Sequence, residues 1–382
     1  MKLFHLSDLH LGIRLNEVSL IEDQKHILEQ ILGYVRSERP DGVILAGDIY
    51  DRSVPSEEAV NLYDNFMTEL AGLQVPVFVI SGNHDSAPRL SCCSRLMSSS
   101  GIYVSSAYNG EVNKVTLNDQ YGNVNFYLLP FVKPALVKHF LDDAEDAWIE
   151  SYHDAVARVI ANMDINRDER NVIVVHQFVT GAERCDSEEI AVGGVDNIAA
   201  EVFADFDYIA LGHIHRPQNI SGQERIRYCG TPLKYSFSEA NHEKSITVVE
   251  LGEKGQLSLN LLPLKPLRDL RILRGKYEEL MLKDNYEDTN KDDYLKIILT
   301  DENEVPNVMS RLRTVYTNIL QLEYDNTRTR NNESIALIED VKLKSELELF
   351  AEFFEKQNGQ HLAAEQEEYL RNLIEELKEA DS

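Results

Sequence analysis

The chain has 382 residues, 43% hydrophobic and 27% charged, the balance of a soluble globular protein with room for two or three domains. Its formal net charge of −27, from 38 Lys and Arg against 65 Asp and Glu, argues against tight nucleic-acid binding by its own basic surface. No run approaches the roughly 18 apolar residues that span a membrane. Met1-Lys2-Leu3-Phe4-His5-Leu6-Ser7-Asp8 reaches an acid too early for the core of a signal peptide, so a cytoplasmic protein is expected.

The first 100 residues alternate strands and helices. Lys2–Leu6, Gly42–Ala46 and Pro76–Ser81 read as strands. Ser19–Glu38 places Ile27, Ile31, Leu32 and Val35 at helical spacing and stops before Pro40. A second helix runs from an N-cap at Ser56 to Ala71. That order predicts parallel strands with right-handed crossovers.

The middle is richer in strands. Val112–Leu117 and Val124–Leu129 pair around a turn at Asn118–Gly122, and a long helix is expected over Ala147–Met163. Asn171–Val175 and Tyr208–Leu211 are short buried strands, with Ser187–Asn197 a loop between them. Ile226–Cys229, Ser245–Leu251 and Leu257–Leu262 complete two sheets packed face to face with helices outside. The expected class is α/β, a four-layer α/β/β/α sandwich.

Beyond it, strands Leu270–Arg274, Tyr294–Leu299 and Ile319–Tyr324 alternate with helices Tyr277–Leu282 and Asn307–Tyr316, a small α+β cap. The expected divisions are 1–265 for the large domain, 266–326 for the cap, 327–344 for a polar linker and 345–382 for a helical segment. From Ser345 to Ser382 there are 11 acids and 3 bases, and two helices broken at Asn358-Gly359. Leu347, Phe350 and Phe354 mark the first; Leu370, Leu373, Ile374 and Leu377 mark the second. This pair is too short for its own core, so it is read as an exposed partner-binding element. The four cysteines, Cys92, Cys93, Cys185 and Cys229, show no Cys-x-x-Cys spacing and are expected to be reduced, buried or half-buried thiols.

Five strand exits carry metal-ligand residue types: Asp8-x-His10, Asp48, Asn83-His84, His176 and His213-x-His215. Ligands of α/β proteins collect beyond the carboxyl ends of strands. Residues two apart on an extended segment point to one side, so Asp8 and His10, and His213 and His215, can serve one site. Mixed Asp, His and Asn donors suit a borderline divalent ion such as manganese, iron or zinc. Seven residues, Asp8, His10, Asp48, Asn83, His176, His213 and His215, can make a two-ion site with Asp48 as the shared carboxylate. Two cations roughly 3.5–4 Å apart can clamp a phosphoryl centre for hydrolysis. His84, beside Asn83, points the other way and is read as a catalytic cation or acid over the substrate. Asp51 is read either as the carboxylate that orients His84 or as a turn residue. Arg14, Arg52, Arg89 and Lys234 lie near the motifs and are candidates for contact with the phosphate-bearing substrate.

The set Asp8-x-His10, Gly47-Asp48-x-x-Asp51-Arg52, Gly82-Asn83-His84-Asp85, His176 and Gly212-His213-x-His215 resembles the calcineurin-like metallophosphoesterase signature. Ser7-Asp8-Leu9-His10-Leu11-Gly12 and Gly82-Asn83-His84-Asp85-Ser86 are similar, more narrowly, to the nuclease subunits of SbcCD-type double-strand-break repair complexes. That resemblance implies one ion at Asp8, His10, Asp48 and His215 and another at Asp48, Asn83, His176 and His213, with manganese the usual metal. It implies a catalytic His84, a 3′→5′ exonuclease on duplex ends, and an endonuclease on single strands and hairpins. It also implies an SbcC-like coiled-coil ATPase bound by the C-terminal helices, in a heterotetramer built on a homodimer of this subunit. Such a partner would supply the grip on DNA that an acidic chain lacks. Ser53 after Arg52 departs from the related phosphoprotein phosphatases, which have glycine there. The alternatives are a phosphodiesterase or phosphatase on small molecules or phosphoproteins, and a non-catalytic assembly subunit.

Overall fold

The central strands of the large domain are buried on both faces, which is why they can form the two middle layers of a sandwich. A computed structural model describes residues 1–141, 149–185, 188, 197–327, 329–330, 350–351, 354, 366 and 370. In the first sheet Lys2–Leu6 lies between Gly42–Ala46, its parallel partner, and Ser245–Leu251, its antiparallel one. Val77–Ile80 and Ile102–Val104 extend the parallel side, and Leu257–Pro263 closes the other edge. In the second sheet Arg170–His176 lies between Gly122–Leu129 and Tyr208–Gly212, parallel to both. Asn113–Asp119, Gln223–Tyr228 and Gln218–Ile220 complete it.

The sheets meet through one apolar layer. Leu3, Ile44, Phe78 and Ile80 face Val124, Phe126, Val172 and Val174. Phe78 and Phe126 stack across the seam with centroids 4.0 Å apart. Helices Ile21–Glu38 and Glu57–Gly72 cover the outer face of the first sheet, burying Ile27, Ile31, Val35, Phe66 and Leu70. Helix Tyr152–Ala161 covers the second, through Ala155, Val156 and Val159. The architecture is therefore the expected four-layer α/β/β/α sandwich. Ser56 caps its helix by accepting from Ala59 N at 3.3 Å. The first helix ends at Glu38, where Arg39 turns left-handed (φ 47°) ahead of Pro40.

The helix expected over Ala147–Met163 starts later. Ser151 accepts from Asp154 N at 3.1 Å while its own N–H donates to Asp154 Oδ2 at 2.9 Å. This reciprocal cap sets the first turn at Tyr152, and apolar periodicity does not reveal such a cap. Residues 147 and 148 lie outside the described residues. The short strand pair Arg14–Leu15 and Val18–Ser19 was not expected.

Past the sandwich the chain forms a three-stranded parallel sheet, Leu270–Gly275, Tyr294–Leu299 and Asn318–Tyr324, with its own core around Leu295, Ile297, Leu312 and Tyr316. Its helices, Tyr277–Leu280 and Val308–Leu312, are shorter than expected. The cap sits on the first helix of the large domain. Tyr294 Oη donates to Asp23 Oδ2 at 2.9 Å, and Arg268 pairs with Asp23 at 3.0 Å and Glu22 at 2.9 Å. Most of the linker and the C-terminal helices expected over 345–382 lie outside the described residues. Among the described residues no helix is long and apolar enough to cross a membrane.

Candidate metal centre

Each expected ligand leaves the carboxyl end of a buried strand. The first sheet delivers Asp8, His10, Asp48 and Asn83; the second delivers His176, His213 and His215. Adjacent exits are laced by backbone bonds. Asp8 N donates to Gly47 O, His10 N to Asp48 O, and Leu11 N to Ile49 O, at 3.0, 3.0 and 2.9 Å. Asp8, His10, Asp48 and His213 all have positive φ (52°, 42°, 49° and 99°). Four non-glycine residues in that region are costly, and such strain persists where the surroundings over-determine it.

The side chains converge. Ligand atoms of Asp8, His10 and His215 lie within 4.8 Å of one another, as do those of Asp8, Asp48 and His176. Asp48 stands between these groups, its Oδ2 at 3.1 Å from His176 Nε2 and 3.7 Å from His10 Nε2. Asn83 Oδ1 lies 3.0 Å from both His176 Nε2 and His213 Nδ1. His176 Nδ1 donates to Ala46 O at 2.8 Å, which turns Nε2 inward. His84 also enters. Its ring is 4.8 Å from that of His10, and His10, Asp48 and His84 form a third close group.

The donors fit divalent cations. Both ring nitrogens of His10 are buried and have no hydrogen-bond partner among the described residues. Buried polar atoms are costly unless paired, and a nitrogen–oxygen donor set of this kind suits a borderline metal. The mutual electrostatics point the same way. Burial lowers His10 and takes His213 down to about 3. Burial also works to lower His176, but the Asp48 carboxylate outweighs it and raises the ring to about 9. Burial raises Asp8. It would raise Asp48 too, yet the neighbouring His176 carries that carboxyl well below its usual range.

Three glycines make the close approach possible. A Cβ on Gly47 would stand 2.3 Å from His176 Nδ1, one on Gly82 2.1 Å from Asp48 Oδ1, and one on Gly212 1.9 Å from Ala46 O. No larger residue fits at these positions without moving a ligand or its loop.

A model of the calcineurin-like phosphoesterase family matches residues 1–217. The SbcD subunit of the SbcCD nuclease of Staphylococcus epidermidis is 32% identical over 98% of this chain and 98% of its own length. The same-named protein of Staphylococcus saprophyticus is 33% identical over the full length of both. This chain belongs to the SbcD family of calcineurin-like phosphoesterases. A second family model, described as Type 5 capsule protein repressor C-terminal domain, matches residues 266–358. The crystal structure of TT1561 of Thermus thermophilus aligns with 68% of this chain and 98% of its own at 11% identity, with a TM-score of 0.37, too low to bear on the fold. As a member of the family the chain is a metal-binding phosphodiester hydrolase.

Within that family frame, the support of the ligands is what sequence reading missed. Gln24, on the first helix, donates to His10 O at 2.8 Å and Leu9 O at 3.1 Å, and accepts from Gly12 N at 2.9 Å. Tyr235 Oη donates to Leu9 O at 2.5 Å. The Asp85 carboxylate accepts from Ile49 N, Tyr50 N and Gly82 N at 2.9–3.0 Å, tying two ligand loops together. Burial, with Asp48 nearby, raises Asp85 to about 6. His215 is held on three sides. Glu188 Oε1 accepts from its backbone N at 2.6 Å, Lys244 Nζ donates to its carbonyl at 2.9 Å, and Glu239 Oε1 lies 3.7 Å from its ring Nδ1. Gln24 had one readable signal, a polar residue in register with the apolar face at Ile27, Leu28 and Ile31.

Two expectations change. His84 Nδ1 is 2.9 Å from the backbone carbonyl of Asp51, so the main chain rather than the carboxylate orients this ring. The Asp51 carboxylate instead lies 3.9 Å from His10 Nδ1 and 3.5 Å from Arg52 Nε, and burial raises it. Lys234 is not a free cation. It pairs with Asp269 at 2.8 Å and donates to Ala240 O at 2.7 Å, joining cap to large domain. Arg14, Arg52 and Arg89 are exposed. Arg14 and Arg52 line a groove of about 470 Å³ that also reaches Asp51.

Proposed function

We propose that this chain is a manganese-dependent DNA nuclease, a 3′→5′ exonuclease on duplex ends that also cuts single strands and hairpins. The observation that carries the reading is the position of Asp48 between His10 on one side and His176 on the other. In this reading Asp8, His10, Asp48 and His215 hold one cation, and Asp48, Asn83, His176 and His213 hold the second. Two such cations supply Lewis acidity for attack of water on a phosphodiester. The chain's own residues do the rest. Gln24 and Asp85 fix the ligand loops, and the Asp51 carbonyl leaves His84 Nε2 to face a phosphate oxygen. There a charged imidazole stabilises the developing negative charge or protonates the departing 3′ or 5′ oxygen. Arg14, Arg52 and Arg89 are the candidate DNA contacts.

The curated relatives are named as subunits of SbcCD, which supports an SbcC-like coiled-coil ATPase as partner. In this proposal the segment 345–382 binds that ATPase, the nuclease domain spans 1–265, the cap 266–326 and the linker 327–344. The assembly is a heterotetramer around a homodimer of this subunit, in the cytoplasm. An acidic subunit with a net charge of −27 then receives its grip on DNA from the partner.

The test is cleavage of an end-labelled hairpin and a linear duplex with manganese or with EDTA, beside a nucleotide phosphoester. Wild type and His84→Ala are compared, with manganese binding measured on both. The expected result is manganese-dependent DNA cutting that His84→Ala abolishes while both cations still bind. An emptied site in His84→Ala would make His84 a ligand instead. Turnover of the small ester with no DNA cutting, even with the ATPase and ATP, would replace the nuclease reading by a phosphodiesterase.

A further inference from the structure

Cys92 and Cys93 take no part in the metal centre. They were expected to be buried or half-buried, yet both are exposed, whereas Cys185 and Cys229 are buried. The buried Cys229 thiol is pushed up to about 12 by burial and lies 3.0 Å from Ser7 Oγ, which makes it an inert packing group. The two exposed thiols touch each other instead, with Sγ atoms 3.8 Å apart.

Their backbone brings them together. Cys93 is left-handed, φ 61° and ψ 14°, at the N-terminal cap of the short helix Ser94–Met97, and its side chain makes no capping bond. The preceding helix, Ala87–Leu90, starts directly after Asn83-His84-Asp85-Ser86. The pair therefore belongs to the segment that leads out of the metal centre, and its sulfurs face water rather than a core.

Adjacent Cα atoms are about 3.8 Å apart across a trans peptide. Ordinary disulfides span about 4.4–6.8 Å between Cα atoms, and departures store strain that makes the bond easier to reduce. A Cys92–Cys93 bond would close an eight-membered ring through their shared peptide, so this exposed turn must bend its backbone as well as its side chains, and the bond would be strained and readily reversed. Strained, exposed disulfides are the labile ones.

We propose that Cys92 and Cys93 form a reversible thiol–disulfide couple whose co-reactant is a low-molecular-weight disulfide. The Cys92 thiolate attacks one sulfur of that disulfide, forming a mixed disulfide and releasing one small thiol. Cys93 then loses its proton and attacks Cys92 Sγ, expelling the second small thiol. Two protein thiols are oxidised, one external disulfide is reduced to two thiols, and the electrons balance. The sulfur–sulfur contact holds the Cys93 thiol above its usual range.

The experiment uses the full-length chain in buffers of oxidised and reduced glutathione, quenched by alkylation and mapped by peptide mass. Wild type is expected to lose alkylation of its two exposed thiols, with the peptide holding Cys92 and Cys93 lighter by two hydrogens. Reduced glutathione should restore both. Cys93→Ser should stop at one glutathione on Cys92, and thermal melts of both proteins confirm that the variant is folded. Wild type that stops at a glutathione adduct, or that joins two chains through these residues, would overturn the proposal. So would two thiols that stay alkylatable throughout the oxidising range.

Discussion

The side-chain amide of Gln24 donates to the backbone carbonyl of His10 at 2.8 Å, so the first helix directly holds the loop that carries a candidate ligand. The neighbouring Asp23 receives the Tyr294 hydroxyl of the cap at 2.9 Å. Cap seat and ligand loop thus share a single turn of helix. Gln24→Leu leaves the carbonyls of Leu9 and His10 and the N–H of Gly12 without this partner, a loss of about 1–3 kcal/mol. Manganese affinity is expected to fall about 10–100-fold, the range for a lost supporting partner of a metal site. Isothermal titration calorimetry with manganese reads it, and unchanged affinity would show that Tyr235 alone holds the loop.

Lys244 and Glu239 are a buried ion pair at 2.6 Å, and Lys244 also donates to Thr231 Oγ1 at 2.6 Å and His215 O at 2.9 Å. Burial works to raise Glu239, but Lys244 outweighs it and carries the carboxyl well below its usual range. Lys244→Met is expected to cost about 3–5 kcal/mol, because it strands the Glu239 charge. Adding Glu239→Gln should recover part of that loss. Denaturant titration of both variants checks the pair, and a double variant no more stable than the single one would contradict the account.

Gly82→Ala and Gly33→Ala should move in opposite directions. A Cβ at Gly82 meets Asp48 Oδ1 at 2.1 Å and Asp48 N at 2.5 Å, while one at Gly33, inside the first helix, meets nothing within 4 Å. Gly82→Ala is expected to lose manganese binding and about 1–3 kcal/mol. Gly33→Ala is expected to gain about 0.5–1 kcal/mol and leave binding alone. Thermal melts with and without manganese separate the two.

Acid should weaken the far edge of the second sheet. Arg170 is buried and bonds both oxygens of Asp119 and the carbonyls of Gly252 and Gly122. The Arg170 guanidinium holds the Asp119 carboxyl well below the usual range. A lowered folded pKa contributes stability that is present above the unfolded value, about 3.9, and is lost as pH falls through the folded one. Asp119→Asn should therefore be less stable than wild type at pH 7, with the difference shrinking below about pH 4. Urea melts at several pH values test this, and a gap that stayed constant into acid would refute it.

The resemblance in the motifs was legible because metal chemistry restricts residue types, and strand exits restrict where those types can fall. Period-2 and period-3.6 patterns likewise placed most strands and both helices of the first crossovers, since burial imposes them locally. Contacts between particular polar groups left no such pattern. The Ser151–Asp154 cap shortened a helix, Lys234 turned to Asp269 of the cap, and a carbonyl rather than a carboxylate came to hold His84. The Lys244–Glu239 pair reached His215 from well along the chain. A charged residue reads the same in sequence whether it meets water or a buried partner. The amino-acid sequence alone determined the layers and the set of candidate donors. The packing of the two sheets decided which donors meet, because only their common edge brings His176 and His213 to Asp48 and Asn83.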